Sequence, residues 1–234
     1  MAFINIVSSS WRSEKYLEGF FLNLLGQTCQ DFRVILVLNG ATEEEERIVA
    51  RYDTCLDMKL LRVPRELVSL SLNRGLKEVE GEGVVIFNVD DRLKEYALEE
   101  IMSAFMRHNE ADILYFDYEV QKPDKGIVLK PSSLFDFELL KRINYLPPCL
   151  VFRERVLQKE EVWFSSDYEL ACDYEFNLRL ASKGYHFFYI EKVMLTYMFS
   201  KHSKTSTQKA KVKECVAHVR EAYRACLSPG ANIR

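Results

Sequence analysis

Strand and helix signals alternate at short intervals through the first 90 residues, and this alternation restricts the chain more than any other feature. Residues 3–7 are a brief apolar, β-branched run. Leu17, Phe20, Phe21, Leu24 and Leu25 then fall at the i, i+3, i+4, i+7, i+8 spacing of one helix face over residues 16–25. Residues 34–38 read as a buried strand closed by Asn39-Gly40. Thr42 and Glu45 follow as the two ends of a capping box, so the acidic run from Glu43 is helix chemistry. A third strand at 58–63, a helix at 69–79 closed by Gly81 and a fourth strand at 84–88 complete the pattern. It predicts an α/β fold: a doubly wound, mostly parallel sheet with helices on both faces. In such sheets ligands sit beyond the carboxyl ends of strands, here residues 8–11, 38–40, 64–66 and 88–91.

From residue 95 the pattern loosens. Helices are expected at 96–107, 133–143 and 171–182, strands at 113–117, near 149–152 and at 185–190, and an irregular turn at 122–126. With 234 residues, 48% of them hydrophobic, the chain can bury a large core, and no Ser- or Pro-rich linker or internal repeat divides it. We therefore expect one domain over 1–234, with a second half from about residue 110 and a basic loop and helix over 201–234. The apolar runs fall far short of the roughly 18–20 residues that cross a bilayer, and residues 3–7 pass into Ser8-Ser9-Ser10 without a basic flank. A cytoplasmic location is expected. The six cysteines contain no C-x-x-C pair and read as small buried hydrophobes rather than zinc ligands.

The net charge of -3 hides an asymmetry, because residues 201–234 hold eight Lys or Arg against Glu214 and Glu221, leaving the first 200 residues acidic. Val212, Val216, Val219, Tyr223 and Cys226 form one stripe of a helix over 207–227, with Lys209, Lys213, Arg220 and Arg224 away from it. The stripe suits core packing or a homodimer contact. The basic side suits phosphates or an anionic surface, such as peripheral contact with the inner face of a membrane. Nucleic acid is not among the expected partners.

Three constellations carry chemistry. Asp90-Asp91 ends an apolar strand, where adjacent carboxylates repel unless a cation, ribose hydroxyls or a helix N-terminus lies between them; the alternative is a helix cap. Asn88 projects to the same side as Asp90, and a hard cation such as Mg²⁺ or Mn²⁺, shared with nucleotide phosphates, suits the group. Asp173 stands in the first turn of an amphipathic helix, as a base or as a dipole partner, and Glu175 with Arg179 reads as a surface ion pair. His202 lies in a basic, hydroxyl-rich loop, Lys201 to Thr207, suited to a metal or pyrophosphate. No G-x-G-x-x-G follows the first strand, no Walker loop exists, and no G-x-S-x-G elbow supports a hydrolase.

In order, these elements resemble the family-2-type glycosyltransferases of GT-A (Rossmann-like) fold. Ile4 to Trp11 is similar to the opening strand and nucleotide loop. Tyr16-Leu-Glu-Gly-Phe through Gln27-Thr28 and Asp31-Phe32 resembles the helix "YLxxxLxSLLxQTxxDF", and Val34 to Thr42 resembles "IIVVDDGSTD". Ser69 through Asn73, Gly75, Gly81 and Phe87 to Asp91 resembles "SxAxNxGLxxAxGEYIxFLDxDD". Lys130-Pro131, Asn144-Tyr145, Leu150 to Arg153 and Cys172-Asp173-Tyr174-Glu175 continue it to about residue 207.

The resemblance implies a nucleotide-diphospho-sugar donor bound by residues 1–110, a saccharide or lipid-linked saccharide acceptor on the side of 111–200, and transfer with inversion in cell-surface polysaccharide or glycolipid synthesis. Ser9 and Trp11 would hold the base with Asn39 close by, Asp90 would take the ribose, and Asn73 and Asn88 would belong to the same nucleotide set. Asp91 would bind a divalent cation (Mn or Mg), His202 would complete that site, and Asp173 would be the general base. Leu38 stands where many members have the first Asp of Asp-Asp-Gly-Ser, Asn88 where they have the first Asp of Asp-x-Asp-Asp, and Ser9 where they have Pro. Leu38 and Asn88 are the losses expected of an inactive nucleotide-sugar-binding relative, one alternative; the other is a sugar nucleotidyltransferase, which also uses paired acids and a metal on an α/β sheet.

Overall fold

A computed structural model describes residues 3–201 and 203–227. Among these residues nine strands form one sheet: β1 (Ile4–Ser10), β2 (Phe32–Asn39), β3 (Met58–Val63), β4 (Gly83–Ile86), β5 (Arg92–Leu93), β6 (Ile113–Lys122), β7 (Gly126–Lys130), β8 (Leu150–Arg153) and β9 (Phe187–Met198). Their order is β3-β2-β1-β4-β8-β6-β9-β5, with β7 paired to β6. The parallel character is concentrated in β3-β2-β1-β4 and in the β6–β9 pair, while β8 enters antiparallel between the two. The carboxyl ends of β1, β2 and β4 therefore lie together, with the start of β8 beside the end of β4, where Ile86 pairs with Leu150.

Helices cover both faces. On one side, α1 (Glu14–Leu25), α2 (Glu43–Tyr52) and α4 (Ala97–Arg107) bury Leu17, Phe20, Phe21, Leu24, Ile48 and Ile101 against the sheet. On the other lie α3 (Val68–Leu76) and the helices of the second half of the chain, α5 (Phe137–Arg142), α6 (Arg155–Lys159), α7 (Cys172–Ser182), the single turn α8 (Lys204–Thr207) and α9 (Lys209–Tyr223). Leu72, Leu76, Leu140, Leu157, Phe176, Leu180 and Val219 form the core there. In α9 the stripe read from the sequence centres on buried Val219 and packs with Val216, Tyr223 and Cys226 onto this second core. No described helix is long and apolar enough to cross a membrane.

The first half matches the sequence pattern within a few residues, and the capping box is present, with Glu45 N donating to Thr42 Oγ1 and Thr42 N to Glu45 Oε2. The second half differs in several places, among them the short helix α6 and the extension of β6 to Lys122. Strand β9 runs on to Met198 because the charged pair Glu191-Lys192 is looped out: the register jumps from Phe116 opposite Ile190 to Asp117 opposite Val193. Residues 126–130, where no strand is expected and only Gly126 belongs to the expected turn, form β7. Helix α5 starts at Phe137 rather than 133, because Asp136 caps it and the preceding residues lie over β6, where Ser133 O accepts from Tyr115 Oη. The Glu175–Arg179 pair is buried rather than exposed, with side chains 4% and 15% accessible, and it joins Glu160 and Tyr223 in one network.

Close approach of α3 to the sheet depends on Gly75, where a Cβ would stand 2.6 Å from Val7 Cγ1. Overpacking of such a contact forces backbone shifts. Gly75→Ala should therefore lower stability by about 1–3 kcal/mol, read as a lower urea midpoint at unchanged m-value.

Candidate active site

One cleft of about 620 Å³ opens at the carboxyl ends of β1, β2 and β4. Its shape begins with Glu45, a fully buried carboxylate. Its Oε1 accepts from Ser10 Oγ at 2.6 Å and Ser13 N at 2.9 Å, while Oε2 accepts from Thr42 N at 3.0 Å. The loop after β1 is thus tied to the start of α2. Between the tied points Arg12 takes a left-handed backbone conformation (φ 51°), which costs about 1–3 kcal/mol for a residue with a side chain. The resulting turn leaves Trp11 41% exposed in the cleft wall. The Arg65 guanidinium lies 4.1 Å from the Trp11 ring centroid and that of Arg12 lies 5.3 Å away.

Arg65 is held there by the end of β2. Asn39 exchanges two hydrogen bonds with the backbone of Glu66, its Nδ2 donating to the carbonyl and its Oδ1 accepting from the N–H. Gly40 has φ 68°, and a Cβ on it would come within 3.0 Å of Arg65 Cβ. Asn39 lines the cleft, while its amide also orders the 64–66 loop. Ser9 is there too, its hydroxyl 2.6 Å from that of Ser71. Leu38, at the position of the missing acid, is buried in the core.

Two expectations are corrected by the geometry. Asn73 does not line the cleft: its Nδ2 donates to Phe164 O and its Oδ1 accepts from Phe164 N, so both halves of the amide hold the 164–170 segment to α3. Asp91, expected as the metal ligand, is 1% exposed and faces inward. Its Oδ1 accepts from Met198 N at 3.0 Å and its Oδ2 from Asn88 Nδ2 at 3.4 Å. Burial, reinforced by the charge of Asp90, pushes its carboxyl up to about 7. Asp90 is the carboxylate that reaches the cleft, with the exposed Asn88 beside it. Burial raises the Asp90 carboxyl, opposed by its own backbone N–H and by the charges of Arg92 and Lys15. His202 lies outside the described residues.

Asp173 lines the same cleft, 83 positions after Asp90 in the chain. It occupies the first turn of α7, where the N–H groups of Tyr174 and Asp173 favour the anion, yet burial outweighs them and raises its pKa. Tyr197, also in the wall, has its phenol pushed up to about 12, first by burial and then by the charges of Asp91, Asp90, Tyr118 and Asp173. Sequence reasoning missed Arg12, Lys15, Arg65, Glu169 and Tyr197. Arg65 sits in a strand end already marked as a ligand position and Arg12 directly follows another, but Lys15 stands in α1 and nothing local marks Glu169 or Tyr197.

Among the described residues no three His, Cys, Asp or Glu side chains converge as a preformed metal cage. The donor set still fits a hard cation of the Mg²⁺ or Mn²⁺ type. Such ions are held by one or two carboxylates while phosphates and waters complete the shell, and Asp90 with the Asn88 amide oxygen supplies that kind of contact.

The glycosyl transferase family 2 profile matches residues 6–163, spanning every strand end of the cleft and both Asp90 and Asp91. The chain belongs to glycosyl transferase family 2. It is 25% identical over 186 residues to the poly(ribitol-phosphate) beta-N-acetylglucosaminyltransferase TarS of Staphylococcus aureus, covering 75% of this chain and 32% of that protein. It is 23% identical over 206 residues to an uncharacterized glycosyltransferase of Methanocaldococcus jannaschii, covering 83% and 70%. A PGL/p-HBAD biosynthesis glycosyltransferase of Mycobacterium bovis is 26% identical over 159 residues, 67% of this chain and 60% of that one. The chain thus spans about a third of the length of the staphylococcal relative.

Among solved structures, S. aureus TarS in complex with UDP-GlcNAc superimposes with a TM-score of 0.76 at 17% identity, over 93% of this chain and 66% of that one. The mannosyltransferase PcManGT of Pyrobaculum calidifontis, in complex with GDP-Man and Mn²⁺, gives 0.74 at 17% identity, over 97% and 65%. These likenesses establish the GT-A fold.

The Asp91 assignment has a pH signature. Its folded-state pKa lies above the ordinary carboxylate value of 3.8, at about 7, so the folded protein binds the proton more tightly than the unfolded chain. Its contribution to stability is full below the ordinary value and is lost as pH rises to about 7. Asp91→Asn keeps an acceptor for Met198 N without the charge. Its Tm should match the parent near pH 4 and exceed it by a few degrees near pH 8, measured by calorimetry without nucleotide.

Proposed function

We propose that the protein transfers a sugar from a nucleotide-diphospho-sugar to an acceptor hydroxyl, with inversion at the anomeric carbon. The observation that carries this reading is the placement of Asp90, Trp11 and Asp173 on one cleft despite their distance in sequence. Trp11 offers a face for the base, next to Ser9 and Asn39. Arg12, Lys15 and Arg65 bring positive charge to the same wall, suited to a diphosphate. Asp90, helped by the Asn88 amide, would hold the divalent cation, and that cation supplies neutralisation of charge on the departing diphosphate.

Asp173 accepts the proton of the acceptor hydroxyl as its oxygen forms the new bond to the anomeric carbon. The bond from that carbon to the diphosphate oxygen breaks, and the leaving nucleoside diphosphate keeps the electron pair. A single displacement of this kind inverts configuration. The raised pKa of Asp173 suits the role, because a carboxylate in a dry wall is a stronger base than one in water. Residues 1–110 carry the donor elements and 111–200 the acceptor side in this reading. Cell-surface polysaccharide or glycolipid synthesis is the process proposed for it.

Two substitutions separate the neighbouring acids. Asp90→Asn should abolish the Mn²⁺-dependent part of the Tm rise given by nucleoside diphosphates, whereas Asp91→Asn should retain it; the reverse result would return the cation to Asp91. For the base, Asp173→Asn keeps size and the first-turn position. With a nucleotide-sugar and acceptor pair found by screening, nucleoside diphosphate should still bind while transfer falls by roughly 10²-fold or more. Undiminished transfer in that variant would remove Asp173 from the chemistry.

A further inference from the structure

The cleft has two chemically different walls. The polar groups come from the strand ends and from the segment after β9, which contributes Ser200, Ser203 and Thr205. The wall between α3 and the chain leading into α7 is apolar: Val68 and Leu72 from α3, Phe164 and Leu170 opposite them, and Pro148 with Leu150 at the start of β8. Leu72, Leu150 and Phe164 are nearly buried and make a floor, while Val68, Pro148 and Leu170 keep exposed surface over it. The acid on this wall, Glu169, already accepts from Val68 N at 2.8 Å, Ser69 N at 3.2 Å and Ser69 Oγ at 2.7 Å. Asp173 follows Leu170 by three residues, so a group whose hydroxyl reaches Asp173 lies against this surface.

A saccharide held there would press several hydroxyls onto side chains that cannot pair with them, at a cost in affinity of roughly tenfold for each one left unpaired. An aryl or alkyl group would instead gain by leaving water. Building on the transferase reading, we propose that the acceptor is amphipathic: its reacting hydroxyl is carried on, or directly beside, an apolar aryl or alkyl body that seats between Val68 and Leu170. Selection of the acceptor then lies in this wall, to which α3 of the donor half contributes Val68 and Leu72.

The test compares phenyl, octyl and methyl β-D-glucosides, binding to the full chain saturated with UDP or GDP and Mn²⁺, by saturation-transfer NMR and titration. Phenyl and octyl glucosides should bind at least roughly tenfold tighter than methyl glucoside, with saturation strongest on the aglycone. Val68→Ser and Leu170→Ser, both at partly exposed positions, should each weaken the phenyl compound by roughly three- to tenfold without altering nucleoside diphosphate affinity. Equal binding of the three glucosides, no binding of any, or aglycone binding that survives both substitutions would overturn the proposal. Failure of the nucleoside diphosphates themselves to bind would instead count against the transferase reading, which keeps the two failures apart.

Discussion

The carboxylate of Glu169 satisfies the first N–H groups of α3 from about a hundred residues further along the chain. A helix N-terminus leaves such donors unpaired, and a buried end without partners is costly. Leu67, at the N-cap position, has no side chain able to accept them. One turn further on, the paired bonds between Asn73 and the backbone of Phe164 repeat the attachment. Together they clamp the second half of the chain to a helix of the first. The clamp carries the start of α7, and with it Asp173, to the side of the cleft facing the end of β4.

A second buried carboxylate works in the same manner on the donor side. Glu45 belongs to a local capping box, yet its oxygens also gather Ser10 and Ser13 from the loop after β1. A local sequence motif is thereby enlarged into the support of the Trp11 turn. The strained backbone of Arg12 is affordable only because both flanks of that turn are fixed. In both cases a carboxylate that resembles ordinary helix chemistry organises a ligand wall. The groups facing the ligand, Trp11, Arg65, Asp90 and Asp173, are left accessible because others carry the structural bonds.

The Asp90-Asp91 pair divides in the same way. Successive residues beyond a strand end face different surroundings, so one acid meets the cleft and the other the interior. The inner acid fastens the end of β9 through Met198 N. That contact closes the sheet behind the site and holds Tyr197, the next residue back, in the wall. The two members of one dipeptide thus have distinct environments and distinct titration behaviour.

Periodicity and caps made the first half of the fold legible. Apolar spacing within one helix or strand depends on neighbours a few positions away, and Thr42 with Glu45 needs nothing beyond its own turn. The ordered motifs from Ile4 to Asp173 likewise made the family legible, and with it the candidates Ser9, Trp11, Asn39, Asn88, Asp90 and Asp173 that line the cleft. What the sequence alone left open depends on contacts between distant segments. Which of Asp90 and Asp91 meets the cleft follows from β9 lying beside β5. The roles of Asn73 and Glu169 require knowing that residues 164–170 cross α3. The length of β9 turns on a bulge that hides Glu191-Lys192 from the strand pattern. Sequence determined the elements and the chemistry available at their ends; only tertiary structure decided which of those ends share one cavity, because burial and facing are properties of packed neighbours rather than of the residue itself.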